Sequence, residues 1–129
     1  YAGDTIKTLE DLKGMKVGAV HGYAIEKELH QLGIENVEAQ DDQQLLNLLV
    51  KKRVKAIYAY REVVLYEQNK QHSTAKLKYF EISRQPFYVC VSRAKETSWD
   101  LIQELNRGLR IIKSNGVFNN IWDKYAPRN

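Results

Sequence analysis

Apolar positions along the chain switch between two periods. A short apolar run, "MKVGAV", has the length and β-branched content of a strand. Before it, "TLEDLKG" places Thr8 as an N-cap, Asp11 three residues on and Gly14 as the stop, which predicts one helical turn. From Tyr23 to Leu32, Ile25, Leu29 and Leu32 fall at helical spacing, and Gly33 supplies the left-handed cap. "NVEAQ" predicts a second strand. "DDQQLLNLLVKKR" predicts a helix capped by Asp41, with Gln44 as its capping-box partner and Leu45, Leu46, Leu48 and Leu49 in one buried stripe. "VKAIYAY" predicts a third strand, followed by a helix from about Arg61 to Asn69, a polar loop "KQHSTAK" and a fourth strand "LKYFEI".

Strands alternating with helices at this spacing predict βαβ units around a parallel sheet with right-handed crossovers. The pattern changes after Arg84. "QPFYVCVSR" predicts a strand opened by Pro86, and two amphipathic helices follow. In the first, Thr97 and Asp100 form a capping box, and Leu101, Leu105, Leu109 and Ile112 share a face with Ile102 beside it. Asn115-Gly116 separates it from "VFNNIWDKY", whose Phe118, Ile121, Trp122 and Tyr125 need a surface to bury against.

Parallel sheets of this kind bind ligands beyond the carboxyl ends of their strands, at a switch in strand order. The residues there are His21, Gly22 and Tyr23, then Gln40 and Asp41, then Tyr60 and Arg61. Each has a plainer role beside a binding one. His21 suits a backbone-bonded strand end, Tyr23 and Tyr60 suit covers for the core, and Gln40 and Asp41 suit a strand end and a helix cap. Arg61 sits in the first turn of a helix, an electrostatically poor place for a cation, which tilts it toward a functional reading.

Composition narrows the classes. The 129 residues are enough for one core, and 43% hydrophobic with 28% charged residues is an ordinary globular balance. A net charge of +4, spread along the chain, argues against nucleic acid as a partner. No apolar run is long enough for membrane insertion. The single cysteine, Cys90, lies in "FYVCV" and is expected to be a small buried hydrophobe. His21, His30 and His72 have no ligand-like spacing among themselves or with Cys90, and no nucleophile-elbow, Walker or Rossmann pattern occurs. The expectation is therefore no catalytic residues, no metal, no cofactor and no enzyme. The chain opens at Tyr1 without a basic n-region or apolar h-region, so any signal peptide is expected to have been removed.

Four blocks in order, "LEDLKGMKVGAVHGY", "NVEAQDDQQLLNLLVKKRVKAIYAY", "PFYVCVSRAK" and "LIQELNRGLRIIKSNGVFNNIWDKYA", resemble the C-terminal part of a family 3 extracellular solute-binding protein. These are the type II periplasmic binding proteins of polar amino-acid ABC transporters. The resemblance covers nearly the whole chain and implies an α/β fold: a three-layer α/β/α lobe with a parallel-dominated mixed sheet, plus C-terminal helices. It implies residues 1–8 as linker or hinge, 9–86 as the second lobe, and 87–129 as a return hinge strand and helices that pack on a first lobe or on another copy.

The resemblance further implies an extracytoplasmic or periplasmic domain that binds a small polar, amino-acid-like solute by hinge closure. Its partners would be that solute, an ABC permease, and a second copy joined by a domain swap or a homodimer contact of the C-terminal helices. The family's Gly followed by Thr or Ser falls on Gly22, Tyr23 and Ala24, so backbone donors are retained and hydroxyls are replaced. The family's Asp for a ligand ammonium falls on Tyr60, which supplies no full charge. The alternatives are a ligand-sensing or regulatory domain of a signalling or cell-wall protein, and a degenerate non-binding domain that oligomerises.

Overall fold

A computed structural model describes residues 6–125. Most of the expected linker over 1–8 therefore lies outside the described residues. The chain divides into two compact units, with the boundary between Ser83 and Arg84.

In the first unit, a single 3-10 turn at Leu9–Leu12 leads into β1 (Val17–Val20), α1 (Ala24–Gln31), β2 (Asn36–Ala39), α2 (Asp42–Val50), β3 (Ala56–Ile57) and α3 (Arg61–Lys70). The three strands form one parallel sheet in the order β2-β1-β3. Val17 pairs with both Asn36 and Ala56, so β1 is hydrogen-bonded along both edges. The chain moves from β1 outward to β2, then crosses back over β1 to reach β3. Right-handed crossovers in opposite directions place their helices on opposite faces of a sheet. The core has that layering. Val17 and Ala19 pack with Leu29 of α1, Leu12 and Ile34 on one side, while Val20 packs with Ala39 and Leu45 of α2 on the other.

Gly18 faces the α2 layer. A Cβ there would lie 3.0 Å from Leu45 Cδ1 and 3.4 Å from Ile57 Cγ2, so the absent side chain is what lets α2 sit this close to the central strand.

Helix ends are set by local chemistry. Asp41 caps α2 by accepting from the Gln44 N–H at 2.7 Å, as predicted, while Gln44 Oε1 reaches one residue further back and accepts from the Gln40 N–H at 2.6 Å. Before the first turn, Asp11 accepts from the Lys7 and Thr8 N–H groups at 2.8 and 2.9 Å, and these bonds hold its carboxyl below the usual range. All three helices of this unit end in one motif. Gly33, Lys52 and His72 take positive φ, at 68°, 56° and 50°. The next residue donates to the carbonyl of Leu29, Leu48 or Gln68. Glycine does this without strain in α1, whereas a lysine does it in α2.

Tyr58, just beyond β3, packs against the Leu29 cluster and donates its hydroxyl to Glu28 Oε2 of α1 at 2.8 Å, tying that helix to the β3 side. Burial first, and then the Glu28 carboxylate, push the phenol up to about 12.

The second unit holds α4 (Ser98–Ser114) and α5 (Val117–Tyr125), separated at Gly116 with φ of 82°. The Asn115 side chain accepts from the Val117 N–H at 3.1 Å and so opens α5. The expected capping box at Thr97 does not form, because Thr97 has already taken helical backbone angles and its side chain makes no cap bond. Phe118 and Trp122 stack at 6.0 Å, one turn apart. No residue of either helix is buried.

Two predicted strands are absent. "LKYFEI" and "QPFYVCVSR" carry strand-like side chains, yet neither segment joins a ladder, and a strand exists only where a neighbour accepts and donates along its edge. The sheet is consequently parallel throughout its described strands. Phe87, Tyr88 and Val89 are exposed, and Cys90 is exposed rather than buried for the same reason.

Two predictions follow from this geometry. Lys52→Gly relieves a left-handed lysine and should raise stability by about 1 kcal/mol in urea denaturation; an unchanged or lower midpoint would contradict the cap. Because the Tyr58 pKa is raised on folding, its contribution is complete below about pH 10 and is lost as pH rises through about 12. Tyr58→Phe should therefore lose less stability than the wild type between those values in alkaline unfolding curves.

Candidate functional site

The 2-1-3 order creates a switch point: the connection leaving β1 turns toward β2, whereas the one leaving β3 enters α3 on the other side. The space between these two loops lies beyond the carboxyl ends of β1 and β3, the kind of place where open α/β sheets receive ligands. Tyr23 is the N-cap residue of α1 and Tyr60 that of α3, so the two rings stand at the heads of neighbouring connections. Their centroids are 6.5 Å apart with planes inclined by 43°, within the range of a favourable aromatic pair. The Tyr23 hydroxyl donates to Asp42 Oδ2 at 3.0 Å, and that bond together with the Asp42 charge raises its pKa.

Not every predicted site residue converges on this space. Arg61 begins α3 and its guanidinium lies 5.3 Å from the centre of the Tyr79 ring, which offsets its unfavourable place at a helix N-terminus by a cation–π contact. The Tyr79 hydroxyl in turn donates to Gln68 Oε1 at 2.8 Å. Gln40 and Asp41, beyond β2, are engaged with Gln44 as described above. Their chemistry is that of a strand end and a helix cap. Ala24 is the first residue of α1, and its N–H, like that of Ile25, heads the helix without an intrahelical acceptor.

The first turn of α1 holds the residue that sequence reasoning missed, Glu26, which reaches back over the β1–α1 loop. Gly22 takes a φ of 81°, and its N–H donates to Glu26 Oε2 at 2.6 Å. Glu26 is buried, yet this bond holds its carboxyl below the usual glutamate range against the opposing effect of burial. The Gly22 N–H, expected from the sequence to remain a donor for a ligand, is thus taken by the chain's own carboxylate. The signal was present as a glutamate in the first turn of a helix, the position from which such a side chain reaches back over the cap.

His21 keeps the backbone bond of a strand end and also has side-chain neighbours that the sequence did not indicate. Its backbone N–H donates to the Ala39 carbonyl at 2.9 Å, extending the β1–β2 ladder by one bond. Its imidazole Nδ1 lies 3.2 Å from Glu38 Oε2 and 3.5 Å from Glu26 Oε1. Two groups of side chains therefore meet at the loop beyond β1: an aromatic pair, and a histidine with two glutamates.

No protein-family model and no curated protein sequence matches the chain. Solved structures do. An ancestral arginine-binding protein bound to glutamine matches at a TM-score of 0.68 and 27% identity, over 98% of this chain and 56% of its own. An ancestral arginine-binding protein bound to arginine matches at 0.67 and 27%, over 95% of this chain and 55% of its own. The substrate binding domain 2 of GlnP from Lactococcus lactis, in an open conformation, matches at 0.67 over 98% and 55%; at 23% identity this likeness speaks for the fold. The chain spans a little over half the length of the proteins it matches, and these are binding proteins rather than enzymes. The α/β layering, the parallel sheet and these likenesses together show that the chain carries part of the type II periplasmic-binding-protein fold, as its solved neighbours do.

Proposed function

We propose that this chain is part of an extracytoplasmic receptor of the ABC-transporter type and that it contributes one wall of a site for a small polar, amino-acid-like solute. The observation that carries the reading is the Tyr23–Tyr60 pair at the switch point between β1 and β3, on a fold shared with proteins solved with glutamine and arginine bound. Two phenol rings offer flat apolar faces with polar tips, a surface suited to the aliphatic part of an amino acid and to its hydrogen-bonding end.

The electrostatics of the loop select among such solutes. Glu26 fills the Gly22 N–H and brings negative charge to the base of the loop, which opposes a ligand carboxylate there. The N–H groups heading α1 at Ala24 and Ile25 are the donors on offer instead. Tyr60, in place of an acid, gives an ammonium group a hydrogen-bond acceptor but no counter-charge. In this reading, closure of a second wall over the solute by hinge motion, delivery to a permease, and a periplasmic or otherwise extracytoplasmic location accompany the fold.

In the same reading, residues 9–86 are the second lobe and 87–129 the return segment. Leu101, Leu105, Leu109 and Ile121 are all exposed on helices with no buried residue, a pattern that calls for a covering surface. The matched proteins extend well beyond the region aligned with this chain, and first-lobe elements of that kind supply the cover.

Titrating the chain with glutamine, arginine, their decarboxylated and N-blocked relatives, and small organic acids while following thermal unfolding tests the site. Tm should rise with solute concentration for at least one amino-acid-like compound. Tyr23→Ala and Tyr60→Ala should each reduce that rise about tenfold in apparent affinity while moving the unliganded Tm by only a few degrees. Silence across the panel, or variants that lose stability as fully as binding, would refute the assignment. For the return segment, sedimentation of the 129-residue chain should show concentration-dependent self-association through the uncovered face, reduced by Leu105→Glu with Ile121→Glu. A strict monomer at every concentration would count against it.

A further inference from the structure

We propose that His21 Nδ1, Glu26 Oε1 and Glu38 Oε2 form a three-ligand binding site for a late first-row divalent cation, with Zn2+ as the representative ion. The site goes beyond the solute-binding reading and does not rest on it, since its three ligand side chains are other than the tyrosine pair.

The three donors come from three elements held in register. Glu38 is on β2 opposite Ala19 of β1, His21 follows β1 with its N–H bonded to Ala39, and Glu26 stands in the first turn of α1. All three ligand atoms lie within 4.8 Å of one another. The two separations from the imidazole, 3.2 and 3.5 Å, are close to the edge of a tetrahedron built on metal bonds of about 2.0–2.2 Å, which is about 3.3–3.6 Å.

The second observation is the state of Glu26. Its side chain is only 4% exposed, and of its two oxygens Oε2 takes the Gly22 N–H at 2.6 Å while Oε1 has no hydrogen-bond partner and faces the imidazole and Glu38. A buried carboxylate oxygen left unpaired is costly. A neutral imidazole cannot relieve it fully, because one Nδ1–H donates toward one of the two carboxylates only. A divalent cation among the three satisfies all of them at once. The Gly22 bond then acts as an outer support that fixes which oxygen of Glu26 points at the ion.

The donor set selects the ion class. One imidazole nitrogen with two carboxylate oxygens suits Zn2+ and its neighbours, whereas Mg2+ and Ca2+ favour six or more oxygens. The side chains of His21 and Glu38 are 63% and 51% exposed, so the ion has a path in from solvent and coordination positions left for water.

Calorimetric titration of the chelator-treated chain with ZnCl2, and separately with MgCl2, tests the site. The wild type should show saturable one-to-one zinc binding and no matching heat with magnesium. His21→Ala and Glu38→Gln, both at well-exposed side chains that leave the core untouched, should each weaken zinc at least about tenfold. His30→Ala should leave it unchanged. Absence of saturable zinc binding, binding retained in both ligand variants, or binding lost in His30→Ala would overturn the proposal. Because the solute titration reads Tyr23 and Tyr60 while the zinc titration reads His21 and Glu38, failure of one assignment is distinguishable from failure of the other.

Discussion

The first unit is organised around one strand that is enclosed on every side. All four residues of β1 are buried, its edges are paired to β2 and β3, and its two faces are covered by different helices. Such a strand has no solvent-facing side to absorb polar residues, and its sequence is accordingly continuous and small: valine, glycine, alanine, valine. The small residues matter as much as the apolar ones. With Leu45 Cδ1 already 3.0 Å from where a Gly18 Cβ would be, any side chain there would require the Leu45 side chain to give way. The close fit of α2 on the central strand uses that missing side chain, and the same helix carries the Asp41 cap and the Asp42 partner of Tyr23.

From the enclosed strand the switch point follows. A central strand reached by connections that leave in opposite directions has such a space at its carboxyl end, and the loop there must turn sharply enough to start a helix at once. Gly22 makes the turn with a positive φ, and Glu26 fastens it by accepting the Gly22 N–H. The same carboxylate thus shapes the loop, changes what charge a solute would meet, and presents its second oxygen to His21 and Glu38. One residue in the first turn of α1 connects the fold to both proposed sites.

Legibility differed between kinds of feature. The helices and the three paired strands are readable because period and caps are local: the Asp41 cap on the Gln44 N–H, Gly33 after Leu32 and Asn115 before Gly116 behave as their spacing implies, while the Gln44 side chain bonds Gln40 and not the cap residue. The segments "LKYFEI" and "QPFYVCVSR" were misread as strands because side-chain pattern reports fitness for a sheet and says nothing of whether a partner edge is within reach. Cys90 follows the same logic, exposed where an apolar setting suggested burial. Thr97 had the right neighbours for a cap but not the extended backbone that a cap requires.

By itself the sequence determined the α/β alternation, the helix boundaries, the uncovered apolar faces of the last two helices and the set of residues at the strand ends, since each of these depends on period, cap chemistry or short-range spacing. Only the tertiary structure decided which of those strand-end residues meet. Tyr23 and Tyr60 are 37 positions apart, and His21 and Glu38 are 17 apart, yet parallel pairing and two crossovers bring each pair together. Contacts of that kind are set by strand order and register, which act across the whole unit and leave no mark in any short stretch of the chain.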